Sequence, residues 1–441
     1  MGRRVLTFLV LLLALASQAA AQSRPVPTLS EVFHDLFGPN GLVVDSEAVL
    51  PDGSTHSAHF NSAFQSNFTQ FNVALASQLT SLPLPSPASG FTYRFDATTG
   101  TFLRTSQSFG PILSDRAETI GRGKFSFGYN YQFFSFDKLE GIDLSRVPSV
   151  FTHDGFELGG GRRDVVSTSN AIDASVGQLT GALTYGVSDR LDVSLAVPLV
   201  TTHLDVLSAA TIVRVGTGTA HDIHFYRDAD APDGLGSERT FEAGGSATGI
   251  GDLIVRVKAG VFRESRRGLA LGFDVRVPTG DERNLLGSGA PGVRPFLAFS
   301  SSYQRLSPHI NVAYQWNGSS ILAGDPETGE KADVPDQFQW AAGTDVGLTD
   351  KFSMTVDFLG RQSINSPRVR LVEFDATGPA GSAVLNDITF DRQSFWSSSA
   401  ALGFKANLAA RLLIDFNLRF TLGTNGLTDR VTPLIGMEYG F

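Results

Sequence analysis

The chain has 441 residues, 44 acidic against 35 basic side chains, and no cysteine. Disulfides, thiolate metal sites and cysteine nucleophiles are therefore excluded, and the acidity argues against nucleic acid as a partner. Phe is abundant at 34 and Gly at 46, only 18% of residues are charged, and the mean hydropathy of +0.01 is too low for a helical membrane protein; strands that face lipid on one side and water on the other give this balance.

The first 21 residues have the order of a cleavable export signal. Arg3 and Arg4 precede an apolar core from Val5 to Ala16, and Ala19-Ala20-Ala21 supplies small residues before Gln22. The apolar run is too short for an anchor, and no later stretch offers some 18 uninterrupted apolar residues. Without Arg3 and Arg4 the chain keeps 33 basic and 44 acidic residues, a net charge of −11.

Residues 22–120 form an N-terminal extension that does not alternate. Within it Phe60, Phe64, Phe68, Phe71, Leu75, Leu79 and Leu82 recur at steps of three and four. That spacing predicts an uncharged helix over 60–82, stopped by Pro83 and Pro85. Its apolar stripe needs a partner, either the periplasmic rim of a barrel or the inside of its lumen, where it would act as a plug. A small hairpin is expected near 91–104.

From about residue 121 the pattern changes to period two. Phe125, Phe127, Tyr129, Tyr131 and Phe133 alternate with small or polar residues, and so do Leu191, Val193, Leu195 and Val197. Alternation puts all the apolar side chains of a strand on one face. About twelve such strands recur, near 123–136, 172–187, 190–200, 251–263, 268–278, 292–303, 308–317, 337–348, 351–362, 394–407, 410–422 and 429–441. Short polar turns alternate with long connections, notably 201–249 and 363–393. Short periplasmic turns, long outer loops and aromatic residues such as Trp316, Trp340, Trp396 and Tyr439 at strand ends are features of outer-membrane barrels. A soluble β-sandwich would share the apolar faces but not the regular asymmetry of its loops. The expected fold is all-β: a transmembrane antiparallel up-and-down barrel over 121–441. It has about twelve strands, or fourteen if the hairpin near 91–104 joins the wall.

Several stretches resemble the outer-membrane barrel family of meta-pathway phenol degradation proteins. They are Ser108-Phe109-Gly110-Pro111-Ile112, Tyr185-Gly186-Val187-Ser188-Asp189-Arg190-Leu191-Asp192-Val193, Gly249-Ile250-Gly251-Asp252-Leu253 and Pro278-Thr279-Gly280-Asp281-Glu282-Arg283. The resemblance covers about 105–441. It implies a channel or transporter-like barrel that passes small, hydrophobic or aromatic compounds. Met437, Tyr439 and Phe441 share one outward register and look like the signal read by the barrel-assembly machinery. That machinery and outer-membrane lipid are the expected partners, besides a small solute.

The positions expected to face inward carry Asp192, Asp252, Asp274, Asp345, Asp357, Asp415 and Glu438 against Arg256, Lys258, Arg276, Arg294, Arg361, Lys405 and Arg419. Such charges either brace the wall as ion pairs or filter solutes. The turn near Arg266 predicts Lys258 opposite Asp274 and Arg256 opposite Arg276, with Asp252 and Arg294 higher on neighbouring strands. These six are the candidate constriction. Enzyme signals are weak, because a barrel hydrolase needs a Ser–His pair and His309 has no serine motif beside it. The loop Asp228-Ala229-Asp230-Ala231-Pro232-Asp233-Gly234 lacks the further ligand of a calcium site, and His221 and His224 make an equally weak metal signal. The reading is of a non-enzymatic barrel without cofactor or metal. The alternative role is a closed-lumen barrel acting at the surface through loops 201–249 and 363–393.

Overall fold

The computed structural model describes residues 28–38, 40–48, 58–62, 69–80, 93–96, 101–104, 108–264, 266–409 and 412–440. Twelve antiparallel strands form the wall. They are β1 (Phe125–Phe136), β2 (Val165–Ser188), β3 (Leu191–Val213), β4 (Leu253–Arg263), β5 (Arg267–Val277), β6 (Gly292–Ser301), β7 (Leu306–Asn317), β8 (Gln337–Thr349), β9 (Phe352–Gly378), β10 (Gly381–Ala409), β11 (Leu412–Thr421) and β12 (Val431–Gly440). Each pairs with the next in the chain. The ring closes where β12 meets β1, with Leu434 opposite Gln132 and Gly440 opposite Ser126. Closure leaves the ring without a free edge, the condition for a sheet to cross lipid. The hairpin Tyr93–Asp96 with Thr101–Arg104 pairs only within itself among the described residues, so the wall has twelve strands and not fourteen.

Alternation sets the two faces. Phe125, Phe127, Tyr129, Tyr131 and Phe133 point outward, and Ser126, Asn130 and Gln132 point inward and are buried. Val193, Leu195, Val197 and Leu199 continue the outward apolar band on β3. Tyr185, Tyr439 and Phe352 rim it at the short-turn end, and Trp316 and Trp396 at the long-loop end. A continuous exposed apolar belt of this kind is a membrane-facing surface.

Beyond the band the apolar phase reverses. On β1 it passes from Phe133, outward, to Phe134 and Phe136, which are buried inside. On β3 it passes from Leu199, outward, to Leu204 and Val206, buried inside. The switches lie at one height, since Phe134 pairs with Val176 and Val176 with Thr202. Above that height the outside is water and the inside is filled by protein, so the apolar side must turn inward. The reversal corrects the expected loops. β3 continues to Val213, a strand Glu238–Ile250 pairs with it, and β9 and β10 stay paired until Gly378 meets Gly381. Much of 201–249 and of 363–393 is therefore strand.

The predicted helix over 60–82 is shorter, Thr69–Thr80. Phe60 belongs to a different element, the strand Ala58–Asn61, which pairs with Val147–His153. Phe64 and Phe68 lie outside the described residues. Spacings of three and four had run two elements together.

The filling of the loop-side half comes from the N-terminal extension. Leu29, Val32, Phe33, Leu36 and Phe37 pack with Phe71, Leu75 and Ala76 of the helix and with the inward Phe134, Phe136, Val200 and Leu204 of the wall. Leu79 is partly buried against the same cluster. At about 25 cal/mol per Å² of apolar surface, this cluster is what holds the extension in place. A polar post stands beside it. Asp164 accepts hydrogen bonds from His224 Nδ1 (2.7 Å), the Thr217 hydroxyl and the backbone amides of Gly216 and Thr217. Burial opposes ionisation of Asp164, but these donors outweigh it and hold its carboxyl below the usual carboxylate range.

Candidate functional site in the barrel lumen

The lumen is occupied from end to end. At the short-turn end a segment from Ser108 to Arg122 crosses it before the chain enters β1. The Phe109 amide donates to Ser353 Oγ (3.1 Å), the Asp115 amide to Asn311 Oδ1 (2.6 Å), the Ala117 amide to Ser300 Oγ (3.1 Å) and the Ile120 amide to Asp192 Oδ2 (3.0 Å). These wall partners lie on β9, β7, β6 and β3, so the segment spans the ring. Two buried lysines end on its carbonyls: Lys258 Nζ on Glu118 (2.8 Å) and Lys405 Nζ on Pro111 (2.8 Å). An ammonium in a protein interior requires such acceptors.

Two glycines of the resembling motifs gain a physical reason here. Gly110 has φ +87°, and a Cβ there would lie 2.6 Å from Arg116 Nε, so only glycine lets the segment fold over that arginine. A Cβ on Gly186 would lie 1.9 Å from the Gly121 carbonyl, where the segment leaves the lumen across the end of β2.

At mid-height lies the charged cluster. Arg256 forms a two-pronged pair with Asp274 (Nε–Oδ1 2.7 Å, Nη2–Oδ2 2.9 Å), and its Nη1 reaches Asp115 of the crossing segment at 2.9 and 3.0 Å. Arg294 holds Asp274 Oδ2 from Nη2 at 2.6 Å. The two guanidiniums sit 4.8 and 5.4 Å from the centre of the Phe296 ring. The predicted register is corrected: Arg256 faces Asp274, Lys258 faces Gly272, and Arg276 faces Ile254. A bulge between Gly260 and Phe262 shifts the pairing. Arg294 is not higher but directly opposite Asp274. Asp252 does lie towards the loops, where it accepts from the Ser288 hydroxyl (2.6 Å) and amide (2.8 Å) and the Gly280 amide (3.1 Å).

Above the cluster stands the end of the helix. The Thr80 carbonyl accepts from Arg276 Nη1 (3.3 Å) and Gln315 Nε2 (3.1 Å), and the Ser77 carbonyl from Gln337 Nε2 (3.1 Å). A guanidinium and two amides thus meet the open carbonyls of a helix C-terminus. Arg361 Nη2 donates to Gln78 Oε1 at 3.2 Å. The helix lies inside the lumen and not on the turn-end rim. Between it and the crossing segment remains a cavity of about 160 Å³, bounded by Gln78 above and Leu113 to Asp115 below.

His309 faces inward and bonds Asp357 at 2.6 Å from Nε2, within the lumen network. Phe441 lies outside the described residues; Tyr439 is outward and 43% exposed.

The inward charges were legible in the alternation, but their partners were not. Sequence reasoning paired wall charges with each other and marked 108–112 only as a resembling motif, assigning residues 108–122 no place in the lumen. The available signal was Asp115, Arg116 and Glu118, three charges in a stretch without alternation just ahead of the first strand.

A closed ring, an apolar outer belt and a charged interior define a transmembrane β-barrel. Residues 158–364 match the family model described as "Putative MetA-pathway of phenol degradation". That stretch contains the motifs at 185–193, 249–253 and 278–283, so the resemblance read from the sequence is borne out there; the motif at 108–112 precedes it. No curated protein matches the chain. Among solved structures it is similar to the COG4313 outer membrane channel from Pseudomonas putida F1, with 13% identity, 74% of this chain and 98% of that one covered, and a TM-score of 0.43. It is also similar to a Pseudomonas aeruginosa FadL homologue (11% identity, 82% and 98% covered, TM-score 0.31) and to the P. putida toluene transporter TodX (10%, 73% and 90%, TM-score 0.32). The strand register, not these likenesses, defines the barrel.

Proposed function

We propose that this protein is an outer-membrane channel for small hydrophobic or aromatic solutes, with its N-terminal extension as a resident plug. The observation that carries the reading is the cavity left between plug segment and helix inside a closed, lipid-compatible wall. The short turns face the periplasm and the long strands project outward, the usual asymmetry of such barrels. In this reading Asp252, Arg256, Lys258, Asp274, Arg276 and Arg294 position the plug and narrow the passage. They carry no catalytic role. Toluene transport by TodX and the name of the matching family suggest the solute class.

The test uses the full-length protein. Membrane fractionation and gel migration without heating should place it in the outer membrane as a heat-modifiable barrel, and proteoliposomes should take up toluene faster than empty vesicles. Recovery as a soluble periplasmic protein ends the barrel reading. An outer-membrane protein that passes nothing favours the surface role, for which the projecting β9–β10 hairpin offers Leu371 and Val384, 56% and 65% exposed.

The outward register of Met437, Tyr439 and Phe441 is the assembly signal in this reading. Deleting Phe441 is expected to lower the folded, protease-resistant yield several-fold. An unchanged yield removes that role.

A further inference from the structure

The inward charges of the wall balance in number, seven of each sign, but the cavity does not share that balance. Its lining includes Arg294, Arg361 and Arg419. The lining acids are already engaged. Asp115 is held by Arg256, and Asp429, the acid nearest in charge to Arg419, accepts from the Val431 amide (3.1 Å) and the Thr432 hydroxyl (3.0 Å), so Arg419 has a counter-charge but no direct carboxylate contact. Arg419 donates from Nη2 to Thr432 Oγ1 (3.1 Å) and lies 5.3 Å from the Phe134 ring centre, while its Nε is buried with no hydrogen-bond partner among the described residues. A buried guanidinium with an unused donor is costly unless an acceptor arrives. The uncharged lining is mixed: Leu113, Phe296, Ala341, Leu359 and Leu427 supply an apolar side, and Gln78, Asn311, Gln339 and Asn425 a polar one. At about 160 Å³ the space is close to that of a cavity able to hold one benzene ring.

We infer that this chamber is a binding site for a small aromatic carboxylate, with the carboxylate on Arg419 and its ring against the leucines. Arg–carboxylate contacts are directional and two-pronged, and Arg361 lines the same chamber to add positive potential. The inference rests on the channel reading and narrows its solute class from small hydrophobic or aromatic compounds to aromatic anions.

Calorimetric titration of the detergent-solubilised full chain tests it, because binding is read without any flux. Benzoate is expected to bind at least about tenfold more tightly than benzyl alcohol or acetate. Arg419→Gln should weaken benzoate about tenfold or more and leave benzyl alcohol unchanged. If that variant loses heat-modifiable folding, Ala341→Leu replaces it, since it narrows the chamber and should abolish benzoate binding. Equal affinity for benzoate and benzyl alcohol, acetate binding as tightly as benzoate, or a folded variant of either kind that binds benzoate like the parent overturns the inference. Failure of the channel reading appears separately, as benzoate binding without uptake of any solute.

Discussion

Deleting residues 23–119 while keeping residues 1–22 is expected to raise single-channel conductance about tenfold or more, while deleting only 23–105 raises it far less. The shorter deletion removes the helix Thr69–Thr80 and its packing against Phe33, Phe134 and Leu204. It leaves the crossing segment, whose amides hold Ser353, Asn311, Ser300 and Asp192 around the ring. That segment is the narrower closure, because it ties β3, β6, β7 and β9 together at one end of the lumen. A twelve-stranded wall is wider than the eight-stranded barrels that side chains alone can fill, so clearing it leaves an aqueous path. Lys258 and Lys405 lose their carbonyl acceptors in the longer deletion but gain water, which lets the wall still form. Planar-bilayer recordings of both variants decide the matter. Equal conductance for the two deletions would remove the crossing segment as the main closure.

Asp274→Ala is expected to be the most destabilising single substitution in the lumen, at about 3 kcal/mol. The carboxylate is shared by Arg256 and Arg294, which also flank Phe296. Removing it leaves two guanidiniums facing each other across the ring with their main counter-charge gone. The loss stays at the low end of the range for breaking a buried pair because Asp115 still engages Arg256 and Arg294 is partly exposed. The urea midpoint of the barrel refolded in lipid vesicles measures it. Asp274→Asn keeps an acceptor for one arginine and should fall between the two. A midpoint for Asp274→Ala equal to that of the parent would mean that lumen water screens this pair completely.

The wall was legible because lipid enforces one rule on every strand. Wherever the outside is hydrocarbon and the inside is polar, alternation reads directly, and the twelve strands fell close to where period two placed them. The reading failed where the surroundings changed. Past Phe133 and Leu199 the apolar face turns inward, so alternation in one phase stops there although the paired strands continue. The register of β4 against β5 failed for a local reason: the bulge between Gly260 and Phe262 is invisible to hydrophobic counting. The crossing segment failed for a third reason. It has no repeat at all, because each of its amides meets a different strand, and only the three-dimensional ring brings Asp192, Ser300, Asn311 and Ser353 together. Phe60 shows the opposite error, a spacing that fitted a helix although the residue pairs in a strand.

The route of the extension has a consequence for biogenesis. Residues 28–48 contact the long-loop side, where the Ser30 amide donates to the Arg283 carbonyl, while Ser108 to Arg122 sit at the other mouth. The polypeptide is thus a thread through the eye of its own needle, and the eye is sewn shut only when the last strand meets the first. Either the thread is laid in the half-open sheet before that seam forms, or its free end is drawn through afterwards. Only the second order demands an unfolded leading end, so cargo that folds early in front of residue 28 would stop assembly by threading and leave assembly by closure around the thread intact.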